Sequence, residues 1–443
     1  MKEKKQRFKV FKKILVLFLI LYFLILFNWS IELTSPDEGK NGYVVLNMLK
    51  TKDFLVPYYN CEPRLEKPPM LYWFGVINSS IFGINEFSLR LVSGISALGI
   101  LIFIGLIARE FFEKDIAWKS ILIFLTFPHV WIEARAFTPE MLLNFFSIGS
   151  IYFFIKNKPT LGWLFFSFAF LTKGPVGIIL PFTVLLFIRL TQRDFSIFSF
   201  LGIFLFLLLS GAWYIFMLYK FGYFYFYKFF FYENLLRYTG EKIFHPQPFY
   251  YYFLIILITS LFYIPIYFNF FSKFKYLYIQ TKKDFKNILS SPITPFVFWF
   301  LFVLIFYSIP KNKLHHYILF AYPPLCIILA NFASERYIQR VMLFSGIILL
   351  ILVIFGYLNE RNRFTYQAKN FLKTYQGEIY FYKYELTTLP FYLDRCIPKV
   401  NRLQDLKPGL IITKKKYENL FNNCTNILSA YEFNEHFILL ECK

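Results

Sequence analysis

Charge is scarce in this sequence. Only 17% of its residues are charged, and acidic residues are rarer than basic ones, with 27 Asp and Glu against 48 Lys and Arg. A soluble domain carries about 25% charged residues. The 5 cysteines include no pair at the spacing of a metal site, and the chain shows no internal repeat. The composition therefore excludes an ordinary soluble protein, and the lack of a repeat argues against the inverted-repeat transporters.

Long apolar runs take the place of charge. Hydrophobic residues make up 57% of the chain, including 62 Phe and 33 Tyr. A helix needs about 20 apolar residues to cross the hydrocarbon core of a membrane. The pattern predicts an all-α polytopic membrane protein with about eleven transmembrane helices, from runs at residues 14–34, 88–108, 118–133, 139–155, 160–172, 174–190, 195–219, 249–270, 293–309, 315–333 and 339–357.

The basic residues behind the net charge of +21 cluster at the ends of these runs. That distribution is typical of membrane topology and of contact with anionic headgroups, and it argues against nucleic acid as a partner. The first run is too long for a cleaved signal, so we expect a retained span in the plasma (inner) membrane. The basic tail before it puts the N-terminus in the cytoplasm, and the Lys-rich stretch within 271–292 then also falls inside.

A break at "TKGPVG" divides the apolar stretch 160–190. One continuous span would leave Lys173 in mid-membrane, at a cost of about 2.5–3.5 kcal/mol, and would put the Lys-rich stretch outside. We therefore expect two helices. Because the first of them covers only about 20 Å of a core about 30 Å thick, Lys173 should lie recessed in a protein-lined cavity.

The composition changes after residue 358. Residues 359–443 are polar and basic, with the short apolar runs "IYFYKY", "GLIITKK" and "HFILLEC" between turn residues. We predict a small extracytoplasmic α/β domain here, and a membrane domain over 1–358 whose outer loop is 35–87. A bridge between Cys396 and Cys424 is one option in an oxidising compartment, and the sequence leaves the pairing open.

Polar stretches that hydropathy leaves unexplained fall at the outer ends of the predicted spans, which predicts a single outward-facing cavity. Recessed Lys and Arg side chains suit a phosphate, and a carboxylate beside them suits a general base or a metal ligand. That combination fits group transfer from a lipid phosphate. The carboxylates are Asp37, Glu38, Glu66, Glu133, Glu140 and Glu233; the cations are Lys40, Lys67, Arg135, Lys173, Arg237, Lys311 and Lys313; the imidazoles are His245, His315 and His316.

Some of these residues have a purely structural alternative. Asp37 and Glu38 could cap a helix that begins near Gly39, because acidic side chains favour the N-terminal end of a helix. Glu66 and Lys67 could be a solvated pair ahead of a proline helix start.

The later stretches differ in how well a structural role explains them. Glu233 and Arg237 have the i,i+4 spacing of a helical ion pair worth only about 0.3–0.5 kcal/mol. His245 could be a hydrogen-bonded interfacial histidine. Lys173 has the weakest structural alternative, because a cation at its depth needs a partner.

Read in order, these stretches resemble the membrane glycosyltransferases that take a sugar from polyprenyl phosphate. That family includes the lipid A aminoarabinose transferases and the protein O-mannosyltransferases, which share the GT-C fold. The most specific part is "SPDEGKNGYVVLNMLKTKDFLVPYYNCEPRLEKPPMLYWF". Later matches are "FTPEMLL", "LTKGPVG", "ENLLRYTG" with "HPQPFYYY", and "SIPKNKLHHYILFAYPPL", so the likeness covers about residues 10–335.

The resemblance implies roles for particular residues. Asp37 matches an essential first-loop Asp, a general base or acceptor-orienting group, and we group Glu38 with it as a catalytic candidate. Lys67 matches a Lys that meets the carrier phosphate, and Glu66 and His245 match residues placed at a divalent metal (Zn, Mg or Mn). The substrate-binding candidates, which line the carrier pocket or belong to the same polar stretches, are Lys67, Lys173, Arg237, Lys313, Tyr317, Glu140 and Lys40.

The chain departs from the family pattern at three places. Asn41 stands where the aminoarabinose enzymes usually carry Tyr, Glu140 where they carry Asp, and "KLHHY" replaces a Lys-Leu-Pro-Thr-Tyr pattern. These departures concern the sugar and the acceptor more than the reaction type.

These observations predict an inverting glycosyltransferase that moves a sugar from a polyprenyl (undecaprenyl) phosphate carrier to an extracytoplasmic acceptor. The acceptor we expect is lipid A or another envelope glycolipid. Two alternatives stay open: transfer to Ser or Thr of a protein, and a non-catalytic transporter or flippase of lipid-linked sugar, which would need polar residues along a path to the cytoplasmic side.

Overall fold

The computed structural model describes residues 16–34, 36–240, 245–269 and 288–442. The basic N-terminal tail and most of the Lys-rich stretch, on which the predicted topology depends, lie outside these ranges. The described residues form two compact units. The helical unit comprises those of Met1–Leu26, Leu65–Leu71 and Val92–Leu349, and the mixed unit those of Phe27–Arg64, Tyr72–Leu91 and Leu350–Lys443.

Each apolar run predicted as a span contains helix in the part of the chain that the structure describes. The α-helices occupy residues 16–24, Asp37–Thr51, Met70–Phe82, Glu86–Phe111, Lys114–Leu125, Pro128–Ala134, Pro139–Ile155, Pro159–Lys173, Val176–Thr191, Phe200–Phe206, Ala212–Phe226, Arg237–Thr239, Tyr251–Thr259, 264–269, Thr294–Ser308, Tyr322–Ala330, Glu335–Glu360, Phe364–Thr374 and Leu389–Leu393. Wider π-helical turns occupy Leu207–Gly211 and Tyr227–Leu236, and 3-10 turns occupy Leu261–Tyr263, His315–Ala321, Leu403–Asp405 and Lys415–Leu420.

Among the described residues, 3 helices are long and apolar enough to cross a membrane, namely Glu86–Phe111, Phe200–Thr239 and Glu335–Glu360. The number rises to 5 if each of two bent pairs is one span. One pair, Lys114–Leu125 with Pro128–Ala134, bends by 69°, and the other, Tyr251–Thr259 with Leu261–Asn269, bends by 76°. The other apolar helices are shorter. A helix-rich membrane protein is therefore confirmed, whereas about eleven spans stays a prediction.

The predicted break at "TKGPVG" is confirmed. One helix ends at Lys173 and the next begins at Val176. Gly174 has φ +75° and ψ −144°, a conformation that side chains oppose, and a Cβ at this position would lie 2.8 Å from Cζ of Phe229. Glycine thus permits the turn that sets Lys173 at a helix end.

The C-terminal part of the mixed unit is α/β, as predicted. Its strands are β3 Ile379–Tyr382, β4 Lys399–Val400, β5 Gly409–Lys414, β6 Cys424–Glu432 and β7 Glu435–Cys442, and a short hairpin, β1 Tyr58–Tyr59 with β2 Glu62–Pro63, precedes them in sequence. The sheet order is β4-β3-β5-β7-β6. β3 runs parallel to β4 and β5, whereas β7 is antiparallel to β5 and β6.

The core of this domain is apolar and consists of two clusters of buried residues, the larger of which includes a helix. Helix Phe364–Thr374 contributes Phe364 and Leu372, and the central strands contribute Phe381, Ile412 and Leu439, all buried.

The three short apolar runs of residues 359–443 match the strands β3, β5 and β7. Sequence analysis missed β4 and β6, because β4 has only 2 residues and β6 alternates exposed polar residues with few buried ones.

The cysteine pairing differs from the option raised by the sequence. Cys396 bonds to Cys61, with Cα atoms 5.8 Å apart, and Cys424 bonds to Cys442, with Cα atoms 4.4 Å apart. The Cys396–Cys424 bridge is therefore wrong. Cys424 and Cys442 face each other across β6 and β7, which fixes their pairing. The side chain of Asn60 holds the backbone of Ile397 with two hydrogen bonds of 2.7 Å, which brings the outer loop to Cys396.

Candidate functional site

Lys173 is the centre of a charged cluster inside the helical unit. Its Nζ lies 2.8 Å from Oε1 of Glu140 and 4.2 Å from the ring centroid of Tyr317. The side chain of Lys173 is 13% exposed and that of Glu140 is 4% exposed. His316 reaches the same carboxylate oxygen, with Nε2 3.2 Å away. Glu140 and Tyr317 therefore supply the partners that a recessed cation needs.

Lys173 also faces a cavity of about 500 Å³, the size of pockets that hold organic ligands. Its walls are mainly aromatic and aliphatic, and Arg237 and Tyr317 line it together with Lys173. Much of one wall comes from the π-helical segment Tyr227–Leu236. Wide helical turns of this kind are frequent at functional sites. An apolar cavity with cations at its wall suits an amphipathic ligand that carries an anionic group.

Arg237 lies at the wall of this cavity and is paired. Its Nη1 lies 2.9 Å from Oε2 of Glu233, one helical turn earlier. The ion pair that the i,i+4 spacing predicts is thus present, and it holds the guanidinium at the cavity. Arg237 can therefore both pair with Glu233 and face a ligand in the cavity.

Lys67 belongs to the helical unit as well. Pro68 and Pro69 follow it, and helix Met70–Phe82 begins directly after them, as expected for a proline helix start. Glu140 forms its ion pair with Lys173, and the positive charge of Lys67 acts on the same carboxylate.

Lys313 and His245 lie on neighbouring segments of the helical unit. Nζ of Lys313 donates to the carbonyl oxygen of Gln247 at 3.1 Å and also to that of Pro310. Burial lowers the pKa of Lys313. The backbone N–H of Lys313 donates to the carbonyl oxygen of His245 at 3.1 Å. In this arrangement the ammonium of Lys313 secures the loop.

The mixed unit contains the acidic pair of the first motif, and its two members differ. Glu38 is buried and accepts two hydrogen bonds from Arg90, from Nε at 2.8 Å and from Nη2 at 2.7 Å. It also accepts from the backbone and the hydroxyl of Thr34, both at 2.9 Å. Asp37 is the first residue of the helix and is partly exposed. These bonds join Glu38 to Thr34 and Arg90, and the helix begins at Asp37 rather than near Gly39, so the capping alternative is not confirmed. Asp37 keeps a partly exposed carboxylate.

Lys40 and Asn41, which follow this acidic pair in the sequence, both make contacts within the mixed unit. The ammonium of Lys40 lies 5.6 Å from the ring centroid of Tyr59. Asn41, one of the departures from the family pattern, is buried and accepts a hydrogen bond of 2.8 Å from Nη1 of Arg64. This contact gives the Asn at this position a structural role.

Sequence analysis missed the grouping of histidines with two glutamates. Two clusters in the part of the chain that the structure describes have ligand atoms within 4.8 Å of one another, one of His129, Glu133 and His315, the other of Glu133, Glu140 and His316. Neither contains Glu66 or His245. The signal was present as the i,i+4 spacing of His129 and Glu133 and as the double histidine in "KLHHY". Metal-capable clusters are therefore present in the helical unit.

Comparisons with known proteins indicate the family to which the chain belongs. Residues 66–216 match the family described as Dolichyl-phosphate-mannose-protein mannosyltransferase. The chain is 44% identical to an uncharacterised protein of Aquifex aeolicus (strain VF5) over 420 residues, which are 95% of this chain and 96% of that protein. It is 28% identical over 315 residues to the Undecaprenyl phosphate-alpha-4-amino-4-deoxy-L-arabinose arabinosyl transferase of Shewanella sediminis (strain HAW-EB3), covering 68% of this chain and 56% of that enzyme.

A solved structure extends the likeness to the whole fold. The crystal structure of ArnT from Cupriavidus metallidurans bound to undecaprenyl phosphate matches with a TM-score of 0.76 at 19% identity, over 96% of this chain and 97% of that chain. The chain belongs to the polyprenyl-phosphate-dependent membrane glycosyltransferases of the GT-C fold. As a member of this family it is a glycosyltransferase that uses a lipid-phosphate-linked sugar, and it is integral to a membrane. It spans 56% of the length of the aminoarabinose transferase named above.

Proposed function

We propose that this glycosyltransferase transfers a sugar, with inversion, from undecaprenyl phosphate to an envelope glycolipid outside the cytoplasm, most simply lipid A. The observation that carries the proposal is the position of Lys173 and Tyr317 at the wall of an apolar cavity, with Glu140 paired to Lys173. A polyprenyl chain matches the apolar wall, and its phosphate matches the cations. The named aminoarabinose transferases among the relatives support this donor and this class of acceptor.

The reaction that we propose exchanges one bond at the anomeric carbon for another. The bond from the anomeric carbon to the carrier phosphate oxygen breaks, and polyprenyl phosphate leaves with the electron pair. A bond from the acceptor oxygen to the same carbon forms on the opposite face. Lys67 and Lys173 stabilise the charge that builds on the leaving phosphate, and Arg237 orients it.

Asp37 is our candidate for the acceptor side of the reaction. A hydroxyl acceptor must lose a proton as it attacks, and the partly exposed carboxylate of Asp37 is suited to take it. A lipid phosphate acceptor is already anionic, so Asp37 would then only orient it. Glu38, which Arg90 holds, contributes by fixing the helix that carries Asp37.

A divalent metal at Glu66 and His245 remains a prediction from the resemblance. A carboxylate and an imidazole are a donor set that Zn²⁺ accepts, so the residue types fit. Such an ion would supply positive charge beside the carrier phosphate. All other steps depend on the side chains described above.

The extracytoplasmic placement of the mixed unit has its own support. Two disulfides, Cys61–Cys396 and Cys424–Cys442, lie in this unit. Disulfides persist in oxidising compartments such as the periplasm and are rare in the cytosol. We therefore propose that the mixed unit faces the periplasmic side of the inner membrane and that the N-terminus is cytoplasmic.

Mass spectrometry of envelope lipids and glycoproteins, with and without this protein, tests the proposal. We expect one glycolipid to lose the mass increment of a pentose, a hexose or a uronic acid when the gene is deleted, and a Lys173→Ala copy not to restore it. Loss of an increment from a Ser- or Thr-linked glycopeptide instead would favour the protein O-mannosyltransferase-like alternative. Purified protein that moves lipid-linked sugar between leaflets without releasing polyprenyl phosphate would make it a flippase.

A further inference from the structure

Three side chains of the helical unit converge on one point that the proposed reaction does not use. Nε2 of His129 lies 3.0 Å from Nδ1 of His315 and 3.5 Å from Oε1 of Glu133. Nδ1 of His315 lies 3.3 Å from the same Oε1. The three atoms therefore form a nearly equilateral triangle of two nitrogens and one oxygen.

Local structure accounts for the convergence. His129 and Glu133 are four residues apart on helix Pro128–Ala134, so their side chains lie on one face of it. His315 is the first residue of the 3-10 turn His315–Ala321. A proline at the helix start and the sharp bend before this helix place the pair where that turn can reach it.

The spacing within the triangle matches a metal site. Zinc binds His nitrogen and carboxylate oxygen at about 2.0–2.2 Å in tetrahedral geometry, which separates neighbouring ligand atoms by about 3.3–3.5 Å. Two of the observed separations, 3.3 and 3.5 Å, lie in that range, and the third, 3.0 Å, lies just below it. One ion could contact all three atoms with only small adjustments of the side chains.

The hydrogen bonds around His129 leave Nε2, the nitrogen that faces Glu133 and His315, as an acceptor. The hydroxyl of Tyr322 donates to Oγ1 of Thr259 at 3.4 Å, so it accepts at 2.6 Å from Nδ1–H of His129. Nε2 of His129 then carries a lone pair that a metal ion can use, 3.5 Å from Oε1 of Glu133. When no ion is bound, Nδ1–H of His315 can donate to this nitrogen at 3.0 Å. Tyr322 thus fixes the tautomer that a metal needs.

The remaining features of the cluster complete this arrangement. Oγ1 of Thr138 donates to the second oxygen of Glu133 at 3.4 Å, which orients the carboxylate. The side chain of His315 is 51% exposed, whereas those of His129 and Glu133 are buried, so one edge is open to entry of an ion. In the adjoining cluster, Oε2 of Glu140 is buried with no hydrogen-bond partner among the described residues.

We propose that His129, Glu133 and His315 bind one divalent transition-metal ion of the zinc class, with a fourth coordination position open. This site differs in every residue from the pair Glu66 and His245. It also does not depend on which sugar or acceptor the enzyme uses.

Zinc binding by the purified full-length protein in detergent tests the site. The protein is stripped with a chelator and titrated with Zn²⁺ alone, and metal content is measured per chain. The His245→Ala variant removes the other metal ligand considered above, so it isolates this site. We expect one tightly bound ion in His245→Ala and at least a 10-fold loss of affinity when His315→Ala or Glu133→Gln is added to it. His436→Ala in the same background is the matched control, since His436 belongs to neither cluster, and it should leave this affinity unchanged.

Two outcomes would overturn the site. One is unchanged affinity when His315→Ala, whose side chain is exposed enough for the variant to fold, is added to His245→Ala. The other is the absence of a tight ion in His245→Ala, which would leave the metal to the residues expected from the family. X-ray absorption of zinc-loaded His245→Ala gives an independent answer: two imidazoles are expected, and a shell with one or none contradicts the proposal.

Discussion

Lys173 and Glu140 form an ion pair, with Nζ and Oε1 2.8 Å apart, and Lys173 lies at the wall of an apolar cavity. Removing two charges from water is costly, and further contacts help the attraction between them to offset that cost. The ring of Tyr317 contacts Lys173, and the imidazole of His316 contacts Oε1 of Glu140. A pair held in this way keeps a cation ready at a site where an anionic headgroup can arrive.

Replacement of Lys173 should lower the rate of sugar transfer strongly and the thermal stability of the protein only moderately. We expect Lys173→Ala to lower kcat/KM for the lipid-linked donor by about 100-fold or more, since a preorganised charge at the leaving group is lost. The double variant Lys173→Met with Glu140→Gln removes both charges together. It should recover the thermal stability that Lys173→Ala loses, and still be inactive. Activity in the double variant would contradict a role for Lys173 in the reaction.

Lys156 supplies the control for that experiment. It pairs with Glu110 at 3.2 Å and is 40% exposed. Exposed pairs contribute about 0–1 kcal/mol. Lys156→Ala should therefore leave both activity and melting temperature close to those of the wild type.

Substitution of Asp37 should affect activity, whereas substitution of Glu38 should affect stability. Asp37→Asn should keep the melting temperature and, with a hydroxyl acceptor, lower kcat by about 100-fold or more. Glu38→Ala leaves Arg90 buried without its partner, which should cost about 3–5 kcal/mol of the free energy of unfolding. Parallel activity assays and thermal melts measure both. Wild-type activity in Asp37→Asn would remove Asp37 from the chemistry.

The two disulfides should differ in what they contribute to stability. The Cys61–Cys396 bridge closes a loop with a sequence separation of 335 residues, and Cys424–Cys442 one of 18. The chain-entropy estimate is about 6 kcal/mol for the first and about 3 kcal/mol for the second. The pair of serine substitutions at Cys61 and Cys396 should therefore lower the melting temperature more than the pair at Cys424 and Cys442. The reverse order would contradict this account.

Gly174 should tolerate no side chain. Its φ of +75° with ψ −144° lies in a region that costs other residues about 1–3 kcal/mol, and Phe229 leaves no room for a Cβ. We expect Gly174→Ala to destabilise the protein and to lower activity by displacing Lys173. Gly211→Ala is the control, since Gly211 has φ −58° and nothing within 4 Å of an added Cβ. Equal melting temperatures for the two variants would show that this turn is not strained.

Much of the fold follows from the sequence because membrane helices and central strands carry strong local signals. The break before Val176 is readable from Lys173 and Gly174, since a lysine cannot be left in hydrocarbon. The strands β3, β5 and β7 are apolar runs bounded by turn residues, whereas the short β4 and the polar edge strand β6 have no such signal.

The site was less predictable because it depends on partners far apart in sequence. The motif residues could be named, but the pairing of Glu140 with Lys173 across 33 positions could not. The same holds for the bond between Glu38 and Arg90, which gives Glu38 a structural role, and for the Cys61–Cys396 bridge. Histidines 129 and 315 are 186 residues apart, and only the fold brings them together.

Binding of undecaprenyl phosphate to the purified protein tests the central claim most directly, since Lys67 and Lys173 should meet one phosphate. Dissociation constants are measured for the wild type, Lys67→Ala, Lys173→Ala and the double variant, with Lys156→Ala as the control. We predict that each single change weakens binding at least 10-fold and that the double change falls short of the product of the two, as for residues that share a ligand group. Wild-type affinity in either single variant, or losses that multiply fully, would contradict the account.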